Sequence, residues 1–175
     1  MDEETSDSCR HKNDRTYIMA DTAATTDIGM DRIVDLLGGK SAFDHPFSTA
    51  LEAHENIQLG FPAKSLMIFL NQFPTIGRVD TIDKVVGVSL RTLQRQKKAG
   101  AKQRLNREQS GKLYKAAEIV AKAVDVLGSP QAAERFLDEP VMALDGKRPI
   151  DLLSTPAGAE LVEKHLVRLD YGVYT

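Results

Sequence analysis

The chain has 175 residues, of which 42% are hydrophobic, and a formal net charge of −2 at pH 7. That length and apolar content suit one or two small packed domains. A single cysteine excludes an internal disulfide, and no apolar run approaches the roughly 18 to 20 residues that a membrane helix needs. The opening MDEETSDSCRHKND is too polar for a secretory signal, so the expected compartment is the cytoplasm and no membrane partner is expected.

Up to Asp31 the chain carries 8 acidic and 3 basic residues and few apolar ones. Residues 1–27 are therefore expected to be a disordered acidic arm. Cys9 and His11 lie in it, while His45, His54 and His165 are scattered without ligand spacing, so no metal is expected. The first ordered element is expected at Met30–Leu37, where Ile33, Val34, Leu36 and Leu37 make an apolar face before Gly38-Gly39. That glycine pair lacks the preceding strand and the Lys-Ser/Thr of a phosphate loop. Phe47–Leu59 reads as a helix packing through Leu51, Ile57 and Leu59, broken by Gly60-Phe61-Pro62. Ala63–Phe73 repeats the pattern with Leu66, Met67, Phe69, Leu70 and Phe73.

The segment Thr81–Leu113 is the most unusual. Ile82, Val85 and Val86 are spaced as one buried helix face, and Gly87 stops that helix. Ser89 is suited to cap a second helix over Leu90–Ala99, closed by Gly100, because its hydroxyl can accept from a free N–H of the first turn. Turning ~100° per residue places Leu90 and Leu93 on one side and Arg91, Thr92 and Arg95 on the other. Two short helices about a glycine turn, the second with a basic outer face, form the helix-turn-helix that lays a recognition helix in the DNA major groove. Ser89, Arg91, Thr92, Arg95 and Lys98 are the expected DNA contacts, with guanine edges, thymine methyls and phosphates as their targets. Between Arg78 and Lys115 there are 11 basic and 3 acidic residues, leaving 12 basic and 22 acidic elsewhere. A local excess of +8 on an otherwise acidic chain is the charge pattern of a phosphate-binding surface.

The linker Gly100–Asn106 leads into a long helix, with Asn106 as N-cap and Gln109 completing a capping box. Ile119, Val120, Ala123, Val124 and Leu127 continue its apolar face to Gly128. Ser129-Pro130 starts the next helix, packed through Ala132, Ala133, Phe136 and Leu137. Asp145-Gly146 reads as a turn and Pro149–Leu153 as a short helical piece. Thr155-Pro156 starts the last helix, with Leu161, Val162, His165, Leu166 and Leu169 as one stripe before Gly172. No run alternates as a strand does, so the fold class is all-α.

The run Ala132–Tyr174 resembles the toxin-binding domain of Xre/MbcA/ParS-type antitoxins, the partners of RES-domain toxins. Ala133–Leu137 with Pro140, Leu144–Gly146, Pro149–Leu153, Thr155 with Gly158, Val162 with Leu166, and Tyr171-Gly172 carry the likeness. Upstream, Arg91-Thr92-Leu93 with Arg95, and Leu105–Ser110, resemble the same family's Xre/Cro-like helix-turn-helix and linker, so the likeness spans about Ile57–Thr175. Phe136 departs from it, standing where the family usually has tryptophan. The expected division is a helical DNA-binding domain over 28–110, with its helix-turn-helix at 81–99, and a helical toxin-binding domain over 111–175. The resemblance implies an antitoxin of a type II pair that neutralises a RES toxin, either NAD-degrading or ADP-ribosyltransferase-like, and represses its own operon by binding operator DNA.

Arg168, Tyr171, Gly172, Val173 and Tyr174 are the expected toxin-binding residues, since aromatic groups and a guanidinium are enriched where interfaces bind tightly. A homodimer is expected because helix-turn-helix proteins usually bind paired half-sites. No nucleophile elbow, HExxH or paired-cysteine spacing occurs, so neither enzyme activity nor a cofactor is expected. The alternative is a freestanding transcription regulator with a ligand- or protein-sensing C-terminal domain.

Overall fold

The structure is a computed structural model that describes residues 24–89, 91, 92, 94, 95 and 103–172. Most of the expected acidic arm lies outside the described residues. Five helices come first: α1 (Ala24–Leu36), α2 (Gly39–Ala42), α3 (Ala50–Leu59), α4 (Ala63–Gln72) and α5 (Val79–Val86). After the 91–95 region come α6 (Arg107–Leu127), α7 (Pro130–Asp138), a 3-10 turn (Met142–Leu144), α8 (Pro149–Leu152) and α9 (Pro156–Asp170). Among the described residues there is no strand, only two isolated antiparallel bridges, so the chain is all-α.

Helix α6 is the spine. Asn106 accepts from the Gln109 N–H at 2.8 Å, and the Gln109 side chain accepts from the Asn106 N–H at 3.2 Å, which closes the expected capping box. Gly128, at φ 80°, ends the helix in the left-handed conformation that its missing Cβ allows. Leu113, Ala116, Ala117, Ile119, Val120, Ala121, Ala123 and Val124 are all buried. The small alanines let α1, α3, α5, α7 and α9 all approach α6. One cluster of buried side chains consequently runs from Met30 to Leu166, and the expected border between residues 110 and 111 falls inside the first turn of α6.

Three expectations change in the N-terminal half. Helix α1 already begins at Ala24, and the short α2 begins within the glycine pair, at Gly39. Helix α3 begins at Ala50 rather than Phe47 because Thr49 caps it, accepting from the Glu52 N–H at 3.2 Å. Phe47 is left free to pack in the core against Phe43, Phe61 and Tyr114. Leu51 and Leu59 are exposed, while Ala53 is buried and Ile57 packs on the core. The line from 53 to 57, one helical turn, is the face that meets the molecule.

A small clip ties α4 to the entry of α6. The Ala63 N–H donates to the Gln103 carbonyl at 2.7 Å, and the Leu105 N–H donates to the Phe61 carbonyl at 2.8 Å. Gly60, at φ 82°, lies so close that a Cβ there collides with the Leu105 carbonyl oxygen. The buried Ser110 hydroxyl completes the clip, accepting from the Phe61 N–H and donating to the Asn106 carbonyl, both at 2.8 Å. Ser110→Ala strands the Phe61 N–H away from water, so urea unfolding should report a loss of about 1–3 kcal/mol.

Candidate functional site

The helix-turn segment is built as its local sequence dictates. Ile82, Val85, Val86 and Val88 are buried, and Gly87 closes α5 in the left-handed region at φ 72°. Ser89 accepts from the Thr92 N–H at 3.3 Å, and its hydroxyl lies 3.1 Å from that of Thr92, the position of a helix cap. Arg91, Thr92, Gln94 and Arg95 are helical. Ser89, Arg91 and Arg95 are exposed and Thr92 is half-buried. Neither arginine forms an ion pair with a described carboxylate. Lys98, Leu90 and Leu93 lie outside the described residues.

The basic window does not form a single face. Lys112 pairs with Glu108 at 2.8 Å, and Lys115 pairs with Glu118 at 2.8 Å and with Glu163 of α9 at 2.9 Å. Arg78 reaches Asp138 of α7 at 2.8 Å. That carboxylate also receives Arg148, at 3.2 Å, and Arg148 bonds Asp151 at 2.8 Å and approaches Asp80 at 4.0 Å. The Arg148 hydrogen bonds hold the Asp151 carboxyl below the usual carboxylate range. The Thr75 N–H adds a bond to Glu134 at 2.9 Å. These contacts tie α5 and the loop before it to α7 and α8. Arg91 and Arg95 are exposed and take no part in this network.

The C-terminal surface centres on α9. Thr155 caps it, accepting from the Gly158 N–H at 3.1 Å, with Pro156 in its first turn. A Cβ at Gly158 collides with the Leu152 carbonyl, so glycine is what lets α8 close onto α9. Val162 and Leu166 are fully buried. Leu161 corrects the expected stripe: it is 53% exposed, because adjacent helix positions stand about 100° apart and Val162 takes the inward one. Arg168 is exposed as well, and Tyr171 is 78% exposed rather than folded over its own core. Gly172 follows at φ 68°. Val173 and Tyr174 lie outside the described residues. Leu161, like Leu51 and Leu59, is a surface residue that sequence reasoning assigned to the packed face. Met142, on the 3-10 turn that contacts α9, is 89% exposed and was not singled out at all.

A cavity of about 300 Å³ lies between α5, α6 and the α8–α9 junction, walled by Val85, Ala116, Ile119, Leu153 and Pro156. Its hydroxyls are engaged in local structure: Ser154 donates to the Asp151 carbonyl at 2.8 Å, and Thr155 caps α9. Among the described residues no group of His, Cys, Asp and Glu could hold a metal ion, and no helix is long and apolar enough to cross a membrane.

Comparison with known proteins fits this geometry. A family model described as the antitoxin Xre/MbcA/ParS C-terminal toxin-binding domain matches residues 122–172, from mid-α6 to Gly172. The chain is also 29% identical over 121 residues to a Pseudomonas putida protein named Antitoxin Xre, covering 69% of this chain and 72% of that one. Both likenesses are to antitoxins, the class that forms one half of a toxin-antitoxin pair. In particular, the match and the relative support an Xre/MbcA/ParS-type antitoxin.

Within the matched domain His165 stacks on Phe136, with ring centroids 5.9 Å apart and planes 9° from parallel. Burial first, and the Arg168 guanidinium second, lower the His165 pKa below the ordinary 6.5. The unfolded chain therefore takes up this proton before the folded one. The stabilisation is complete above the unfolded value and declines as pH falls below it. Calorimetry at about pH 7.5 and about pH 5.5 should show a larger drop in Tm for the wild type than for His165→Gln, which lacks the titrating ring.

Proposed function

We propose that the chain is an antitoxin that neutralises a RES-domain toxin, NAD-degrading or ADP-ribosyltransferase-like, by covering the toxin's active-site cleft with the outer face of α9 and the tail beyond it. The observation that carries this reading is the exposure of Leu161, Arg168 and Tyr171 along one helix of the matched toxin-binding domain. Exposed apolar and aromatic side chains with a guanidinium are what a tight interface uses as anchors. The proposed roles extend to Gly172, Val173 and Tyr174.

The same reading gives residues 28–110 to operator binding and 111–175 to toxin binding, with α6 shared between them. Ser89, Arg91, Thr92, Arg95 and Lys98 meet the operator as part of a homodimer, and the chain represses its own operon. The support is the capped turn, the exposed arginines and the charge excess of the segment. A freestanding regulator with a sensing C-terminal domain is the competing reading, and purification of the native complex separates the two by whether a RES protein co-elutes.

Four measurements test the proposal. Tyr171→Ala should weaken toxin binding by about 2 kcal/mol, as expected at an interface anchor, and deletion of Gly172–Thr175 should restore NAD loss by the purified toxin. Unchanged inhibition by the deleted chain rejects the covering tail. Arg95→Ala should weaken operator binding by roughly 1–3 kcal/mol if the guanidinium reads a base, and wild-type affinity should fall linearly in log units with log salt.

A further inference from the structure

We infer that Gln109 is a positioning residue for DNA reading, fixing the turn between α5 and the helix that carries Arg91 and Arg95. The inference rests on the operator-binding reading above. Its basis is a side chain that makes two bonds with opposite polarity. The Gln109 carbonyl oxygen accepts from the Asn106 N–H at 3.2 Å, which belongs to the cap of α6. The amide nitrogen donates to the Gly87 carbonyl at 3.1 Å, across a separation of 22 residues.

Gly87 is the hinge of the segment. Its own N–H closes α5 on the Asp83 carbonyl at 2.9 Å, and two residues later Ser89 caps the next helix. The peptide that carries the Gly87 carbonyl therefore sets the direction in which the second helix leaves. Held by Gln109, that peptide is fixed relative to α6, the helix on which both halves pack. Lys112, one turn further along α6, lies over the same glycine, 3.3 Å from where a Cβ would stand. Capping alone needs only an acceptor at this position, which glutamate supplies equally well. The bond to Gly87 needs a donor, and of this pair only glutamine has one.

That difference defines the test. Gln109→Glu keeps the cap, loses the link and adds a negative charge near the turn. Asn106→Asp keeps both, because aspartate is an equally good N-cap, and adds the same charge at the same helix end. Operator binding and Tm are measured for the wild type and both full-length variants. The expected result is a Tm near wild type for both, with Gln109→Glu binding the operator roughly three- to tenfold more weakly than Asn106→Asp, the scale of one lost hydrogen bond. Equal affinities for the two variants, with wild-type binding intact, overturn the positioning role alone. A loss of affinity matched by an equal loss of Tm also overturns it, since the glutamine then only stabilises the fold. A wild-type chain with no salt-dependent affinity for its own promoter DNA overturns the operator reading and this inference together.

Discussion

The burial of α6 on nearly every side is the constraint from which the molecule follows. A helix of 21 residues is about 30 Å long, and neighbours can cover so much of it only where side chains are small. Ala116, Ala117, Ala121 and Ala123 supply that room, with Leu113, Ile119 and Val120 filling the gaps between. Its first turn is fixed from several directions at once: the Asn106 cap, the Ser110 hydroxyl on Phe61, and the Gln109 amide on Gly87. The turn before Arg91 and Arg95 and the helices of the matched C-terminal domain are therefore referred to one rod.

Electrostatics refine this arrangement more than they stabilise it. Arg78, Lys115 and Arg148 all sit in partly exposed ion pairs, and pairs of that kind contribute little individually. Their value is directional. Asp138 accepts guanidinium groups from the approach to α5 and from α8, so the relative setting of these elements is specified by one carboxylate. Asp138, Asp151, Glu118 and Glu163 come from outside the basic segment, Asp80 and Glu108 from within it, and Arg91 and Arg95 have no described carboxylate partner.

Helix α9 is packed on one side and exposed on the other. Val162 and Leu166 face inward and hold the helix to the core, while Leu161, Arg168 and Tyr171 occupy the opposite side. Leaving a leucine and a tyrosine in water gains nothing for the isolated fold, since apolar area is stabilising only when removed from solvent. Their exposure is the property expected of a domain whose relatives are described as toxin-binding.

Much of this was legible in the sequence because it is local. The caps at Ser89, Asn106, Ser129 and Thr155, and the glycine stops at 87 and 128, depend on contacts within about four residues, and each falls where the residue type demands it. The likeness to antitoxin toxin-binding domains was likewise readable from the spacing of Ala133, Pro140, Gly146 and Gly158. What the sequence could not settle was which of two neighbouring apolar residues faces the core. Leu161 and Val162, or Leu51 and Ala53, are distinguished only by where the adjoining helix lies. Nor could it show that Arg78 spends its charge on Asp138, sixty residues away, or that the Gln109 amide has a second partner in Gly87. Composition and near-neighbour bonding thus determined the helices and their ends, while tertiary packing alone decided their outward faces and which charges remained free, because both depend on segments that meet only once the chain has closed around α6.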